Sequence, residues 1–453
     1  MQKINDFTEG KILSPLLKFA GPVLLALLLQ SLYGAVDVLI VGRFAATVDV
    51  SGVSTGSQLM SSVTLILSGL AMGMTIMLGQ FIGEKRSEES GDIIGTGILL
   101  FAVIAVVLSV LFCLLASPLA SLLRAPEEAF TETVSYIRIC SAGLIFIVAY
   151  NALGSVFRGI GDSLMPLIAV AIACVTNIFG DLALVAGLRM GAAGAALATV
   201  GAQAISVLLS LLIIRRRKLP FTFTGHSIRW KGEYVRQIVR LGLPLGSQDL
   251  LITFSFLAIT AIINTLGLYQ SAGMGVAQKV TGFVMLVPSA AMQALAAFVA
   301  QNYGARKMAR ARRAVYYGIG ISLLAGIVMW YLVFFHGSFL SSIFSTDAQV
   351  IAMSADYLRA YGLDCLIGSM TFCFVGFFNG MGKTTFTMVQ GISTAFLVRL
   401  PIAYLMSRIP GVSLFYVGLA IPASTTAQFL ICLVYFVILI AKEKKEQKLQ
   451  IHA

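Results

Sequence analysis

Along most of the chain, apolar residues continue without the alternation of a half-buried strand or the single stripe of a surface helix. Charged residues fall mainly where such runs end. Each run exceeds the roughly 20 residues needed to cross a ~30 Å hydrocarbon core as a helix. The pattern predicts twelve spans, at 15–42, 52–82, 92–116, 133–157, 163–187, 191–214, 235–266, 272–300, 312–336, 352–378, 384–407 and 413–441. They are numbered here 1 to 12. The surplus length permits tilt. One polar stretch, RRRKLPFTFTGHSIRWKGEYVR, interrupts the series after span 6. It divides the chain into two six-helix bundles, 1–222 and 223–453.

The second bundle repeats the first. At an offset of 221, Gln80 matches Gln301, Gly83 matches Gly304, Tyr136 matches Tyr357 and Arg138 matches Arg359. Phe157, Gly159 and Gly161 match Phe378, Gly380 and Gly382, and Pro22 pairs with Pro244 at an offset of 222. Six spans per copy is an even number, so both copies run the same way through the membrane. The expected fold is an all-α polytopic membrane protein, with two bundles related by a pseudo-twofold along the membrane normal and a pathway between them.

Composition agrees: 58% of residues are hydrophobic, only 11% are charged, and mean hydropathy is +0.92. So little charge cannot cover a water-soluble surface, which excludes an ordinary soluble enzyme. The formal charge of +12 does not point to nucleic acid, because its placement is topological. Lys3, Lys11, Lys18, Lys85, Arg86, Arg158, the 215–240 cluster (Arg216, Arg217 and Lys218 among them), Arg306 to Arg313, Lys383 and Lys442 to Lys448 share one side. The opposite side carries Arg43, Arg124, Arg138, Arg189, Arg359 and Arg408. Both termini are therefore expected in the cytoplasm, next to anionic lipid headgroups. No signal peptide is evident at the N-terminus. The six cysteines fall in apolar runs and read as buried free thiols, and the three scattered histidines offer no zinc spacing. FRGIGDSLMP (157–166) and FNGMGKTTF (378–386) read as tight helix connections, not phosphate loops.

Against this background, a few polar residues inside spans are candidates for chemistry. Asp37 lies near the outer end of span 1, Asn177 and Asp181 share a face of span 5, and Thr199 lies two turns into span 6. An ionised Asp at the helix centre costs ~2.5–3.5 kcal/mol on insertion scales. Two acids in one bundle can relieve that cost by sharing a proton. Alternatively they can hold Na+ with the Asn177 amide and Thr199 hydroxyl as further hard ligands. Tyr33, one turn before Asp37, and Asn151 are possible lining residues, and Pro22 is a possible hinge in span 1. The simpler alternative is a carboxylate hydrogen-bonded only to lock helix packing. At the repeat offset, Asn177 faces Val398, Asp181 faces Ile402 and Asn151 faces Phe372, so this cluster belongs to the first copy. A slip of one residue would set Arg399 opposite Asn177. In the second bundle, Asp249, Lys279, Asp364 and Arg399 read as a polar network that neutralises itself.

FAGPVLLALLLQSLYGAVDVLIVGR, FRGIGDSLMP, TNIFGDLAL and GAAGAALAT, in that order over twelve spans, resemble the multidrug and toxic compound extrusion (MATE) transporters over essentially the whole chain. Within that family, Asp37, Asn177, Asp181 and Thr199, with Tyr33 and Asn151, resemble the N-lobe cation site of the DinF-like branch. The acids of the NorM-like branch would fall at Ile252 and near Gly368, about one turn from Asp249 and Asp364. The resemblance implies export of amphipathic or cationic compounds by a monomeric cell-membrane antiporter, driven by inward H+ or Na+ and needing no other cofactor. A flippase for lipid-linked saccharides is the alternative. It would be expected to carry an Arg-rich cavity, whereas only Lys279 and Arg399 remain inside spans once the other basic residues are assigned to the two sides. An intramembrane enzyme lacks a catalytic constellation, and a receptor lacks an appended soluble domain.

Overall fold

The computed structural model describes residues 7–215 and 223–452. Lys3, Arg216, Arg217 and Lys218, and the expected division at 222, lie outside or at the edge of the described residues, as does the side chain of Lys448. Within a bilayer the backbone has no water to bond, so each apolar run satisfies its amides as a helix. Among the described residues, eleven helices are long and apolar enough to cross: Leu13–Phe44, Thr47–Gly83, Glu88–Leu114, Leu164–Gly187, Gly191–Arg215, Gly232–Asn264, Leu268–Gly304, Met308–Phe335, Ala348–Gly380, Thr384–Ser407 and Leu414–Lys445. A twelfth crossing, span 4, is a bent pair, Glu127–Ala142 with Leu144–Gly159, turned by 52°. The break falls at Gly143, where a Cβ would lie 2.3 Å from Val200 of span 6. Helix and helix thus meet at a distance that only glycine allows.

The chain divides into two compact units, Met1–Asp249 with Ala300–Met308, and Leu250–Val299 with Ala309–Ala453. In the first, one apolar cluster gathers Leu67, Met74, Met77, Phe101, Phe157 and Ile238. A second gathers Ile40, Val53, Tyr136, Ile137, Val185 and Ala195, with spans 2 and 4 contributing to both. The second unit has its own cluster around Ile259, Met274, Tyr357, Tyr361 and Val417. Large apolar side chains left exposed, such as Val38, Val107, Leu208, Leu324 and Val437, have hydrocarbon in place of water as their solvent.

The repeat is visible in the backbone. Gly161 and Gly382, matched at offset 221, both adopt positive φ (86° and 76°) in the turns after spans 4 and 10. Lys85 and Arg306, matched at the same offset, do likewise after spans 2 and 8 (59° and 56°). Pro22 and Pro244 both sit inside helices. The N-terminal segment is tied to the end of span 8. Phe7 N–H donates to Gln301 Oε1 (3.4 Å), Asn302 Nδ2 donates to Phe7 O (3.0 Å), and Lys307 Nζ donates to Thr8 O (2.9 Å). All six cysteines are free thiols; Cys113 and Cys174 are half-buried and the other four are buried.

Candidate cation site

Three helix ends bring the polar residues of the first unit to one depth. Asp37 lies seven residues before the end of span 1, Asp181 six before the end of span 5, and Thr199 eight after the start of span 6. At 1.5 Å per residue each is roughly 10 Å from the same end of the bundle. Spans 5 and 6 approach closely there because Gly180 faces Ala198. The residues next to them, Asp181 and Thr199, are thereby carried toward span 1.

The Asp37 carboxyl lies beside that of Asp181, and the Tyr33 hydroxyl lies against the Thr199 side chain. Asn177 and Asp181 are both fully enclosed. Asp37 is half-buried. Among the described residues, no protein donor in hydrogen-bonding geometry serves Asp37 Oδ1 or either oxygen of Asp181, and both amide atoms of Asn177 lack a protein partner. A hydrogen bond between two carboxyls needs a proton, and a cation would take these same oxygens as ligands. The donor set is hard and oxygen-rich, so it fits either H+ or Na+. Directly after Asp181 the helix widens into a π turn, Leu182–Gly187, a local irregularity common at functional sites.

Asn151 has its own hydrogen-bond partners in the same unit. It accepts from Ser68 Oγ (3.2 Å) and donates to Ile147 O (2.9 Å). Two neighbours of the carboxyl pair escaped the sequence reading. Tyr136 and Cys140, both on span 4, lie close enough to interact with Asp37. Tyr136 was legible only as a repeat match to Tyr357, and Cys140 only as a buried thiol.

In the second unit, Arg399 is buried and donates Nη1 to Ser255 Oγ at 3.1 Å. Its guanidinium stands over the Phe256 ring at 4.7 Å. Asp364 is buried against Thr425 and faces Arg399 electrostatically, without a direct ion pair. The structure brings these two together and leaves Lys279 exposed, its ammonium 5.8 Å from the centre of the Phe344 ring. Asp249, on span 7, is exposed and belongs to the first unit.

The MatE family model matches the chain twice, over residues 22–182 and 244–405. The chain belongs to the MatE family. The two matches begin at Pro22 and Pro244, the pair related by the offset of 222. MATE proteins are transporters, and two six-span halves are their architecture. Among curated relatives, "Probable multidrug resistance protein YpnP" of Bacillus subtilis is 26% identical over 406 residues, 89% of this chain and 91% of that one. "Multidrug export protein MepA" of Staphylococcus haemolyticus is 20% identical over 412 residues, 91% of each chain. A solved structure, described as the outward-facing conformation of a multidrug resistance MATE family transporter of the MOP superfamily, superposes with a TM-score of 0.91 at 18% identity. It covers 98% of this chain and 100% of that one. That likeness bears on the fold.

Proposed function

We propose that this MATE protein is a secondary active exporter of amphipathic or cationic small molecules, driven by inward H+ or Na+ through alternating access. The pairing of Asp37 with Asp181 carries the reading. Two adjacent carboxyls enclosed within one membrane-spanning bundle need a neutralising proton or cation. In this proposal the bundle 1–222 holds the coupling ion at Asp37, Asn177, Asp181 and Thr199, with Tyr33 and Asn151 lining the site. The bundle 223–453 carries Asp249, Lys279, Asp364 and Arg399. The printed names of the curated relatives support multidrug compounds as cargo. The basic residues support a cell-membrane location with both termini cytoplasmic.

Coupling follows from differential binding. An ion that neutralises the pair favours whichever arrangement of span 1 against span 5 brings the carboxyls together. A ligand favouring the other arrangement is released by that ion, to the extent that their affinities differ between the two states. Pro22 removes one backbone hydrogen bond from span 1 and gives it a place to bend. The test is efflux of a fluorescent cation from proteoliposomes, with pH and Na+ gradients imposed separately. Asp37→Asn and Asp181→Asn should each abolish gradient-driven efflux while the protein remains folded and monodisperse. Normal efflux in both variants would overturn the assignment.

A further inference from the structure

The first unit contains a cavity of about 350 Å³ among spans 3, 4 and 6, within the ~300–1,000 Å³ range of pockets that take small ligands. It is separate from the carboxyl pair. Met74, Phe101 and Phe157 form its buried floor, while Ile98, Ile145 and Leu211 line it and are exposed. An opening rimmed by exposed apolar side chains on membrane-crossing helices faces hydrocarbon. The lining of span 3 runs from Ile94 to Ala105, which at 1.5 Å per residue is about 17 Å. One leaflet of a ~30 Å hydrocarbon core is ~15 Å deep. The cavity is therefore as long as the hydrocarbon part of a single leaflet.

Phe223 also lines the cavity and opens the segment leading into span 7. That segment is fastened over span 3. Thr96 Oγ1 donates to Arg229 O at 2.8 Å, and a Cβ on Gly95 would collide with the Ser227 carbonyl. Arg229 is thus held near the end of the cavity that Ile94 and Ile98 line, with Arg215 closing span 6 nearby in sequence to Ile214 of the lining. Both arginines are exposed, and neither has a carboxylate partner among the described residues. Lys231, by contrast, is engaged with Asp92. Trp230 is also exposed, in the manner of aromatic side chains at a membrane–water boundary.

From this combination we infer that the cavity is a binding site for an acyl chain of an anionic phospholipid in the leaflet on the side of the N-terminus. The chain lies in the cavity, and the headgroup phosphate is met by Arg229 and Arg215. The inference does not depend on ion coupling by Asp37 and Asp181, and it would survive the failure of that reading.

The test uses the intact protein in nanodiscs of defined phosphatidylcholine and phosphatidylglycerol content. A phosphatidylglycerol carrying a photoactivatable diazirine on one acyl chain is the probe, and adducts are mapped by mass spectrometry. Adducts should concentrate on peptides of spans 3, 4 and 6. Ala102→Phe and Ala149→Leu fill the cavity from opposite walls, and each should cut labelling there about tenfold, equivalent to ~1.4 kcal/mol. Labelling is normalised to folded protein recovered by gel filtration, so either variant decides. Arg229→Gln should remove the preference for phosphatidylglycerol over an equally labelled phosphatidylcholine. Adducts spread evenly over other exposed apolar faces, such as Leu324 and Val328 of span 9, would overturn the inference. So would labelling unmoved by either alanine replacement, an unchanged headgroup preference in Arg229→Gln, or displacement by the transported cation, which would assign the cavity to cargo.

Discussion

Asp181 and Arg399 are enclosed side chains on spans 5 and 11, the corresponding helices of the two copies, yet their neighbours differ in kind. Asp181 meets a second carboxyl and no protein donor. Arg399 has a hydroxyl from Ser255, the face of Phe256 and an acid, Asp364, within electrostatic reach. A like-charge pair needs an ion from outside, whereas an acid facing a base neutralises itself. Asp364→Asn should then leave a buried guanidinium uncompensated and cost about 3 kcal/mol of stability. The double change Asp364→Leu with Arg399→Met should recover most of it. Lys279→Met should stay within about 0.5 kcal/mol, as exposed positions do. Melting temperatures of the three purified variants check this, and an equal loss in Lys279→Met would contradict it. The buried acids were legible because a carboxylate in an apolar run is conspicuous. The exposure of Lys279 was not, since an apolar run does not reveal which of its faces lines water, protein or lipid.

At the scale of elements, the twelve spans were legible because length and hydropathy alone decide a crossing. Breaks within spans were not, because a helix apolar on every face has no periodicity to lose when its register shifts. Span 4 bends at Gly143, and wide turns occur at Leu182–Gly187 in span 5 and Ala395–Arg399 in span 11. A π turn inserts one residue. In span 11 it ends at Arg399, the residue that a one-residue slip of the repeat would set opposite Asn177. In span 5 it begins only after Asp181. Span 1 remains one continuous helix through Pro22, although a proline in a helix interior costs up to ~3 kcal/mol. If Pro22 serves as the hinge, Pro22→Ala should hold or raise the melting temperature while lowering efflux turnover severalfold. Efflux and melting measured on the same preparation separate the two effects. Unchanged turnover would leave Pro22 with no part in the motion.

Across the whole molecule, the repeat reaches into contacts that no single copy could make. Gln80 and Gly83 end span 2, and Gln301 and Gly304 end span 8. A Cβ on Gly83 would lie 2.0 Å from the Gln301 carbonyl oxygen, and one on Gly304 would lie 1.9 Å from that of Gln80. Each glycine thus leaves room for the carbonyl of the other copy's glutamine, and the two helix ends cross at backbone contact. The sequence shows the Gln/Gly pairs as a repeat, but their reason is reciprocal and becomes visible only when both ends are in place. Gln301 adds a second tie, donating Nε2 to Gly159 O at 3.0 Å. In the proposed topology, with both termini cytoplasmic, this crossing lies at the cytoplasmic face, where export requires a closed arrangement that can part. A methyl group at either position forces the two helix ends apart, since a backbone carbonyl cannot yield as a side chain would. Gly83→Ala and Gly304→Ala should therefore shift the population toward the parted arrangement, in proportion to how much more each methyl costs in the crossed one. With the six native cysteines replaced, a cysteine at Ala300, which is fully buried here, should react faster with a membrane-impermeant maleimide added from the cytoplasmic side. Efflux should fall in the same variants, because the closed state is harder to reach. A lower melting temperature with no gain in Ala300→Cys labelling would mean that the crossing is fixed packing, and that the cytoplasmic opening lies elsewhere.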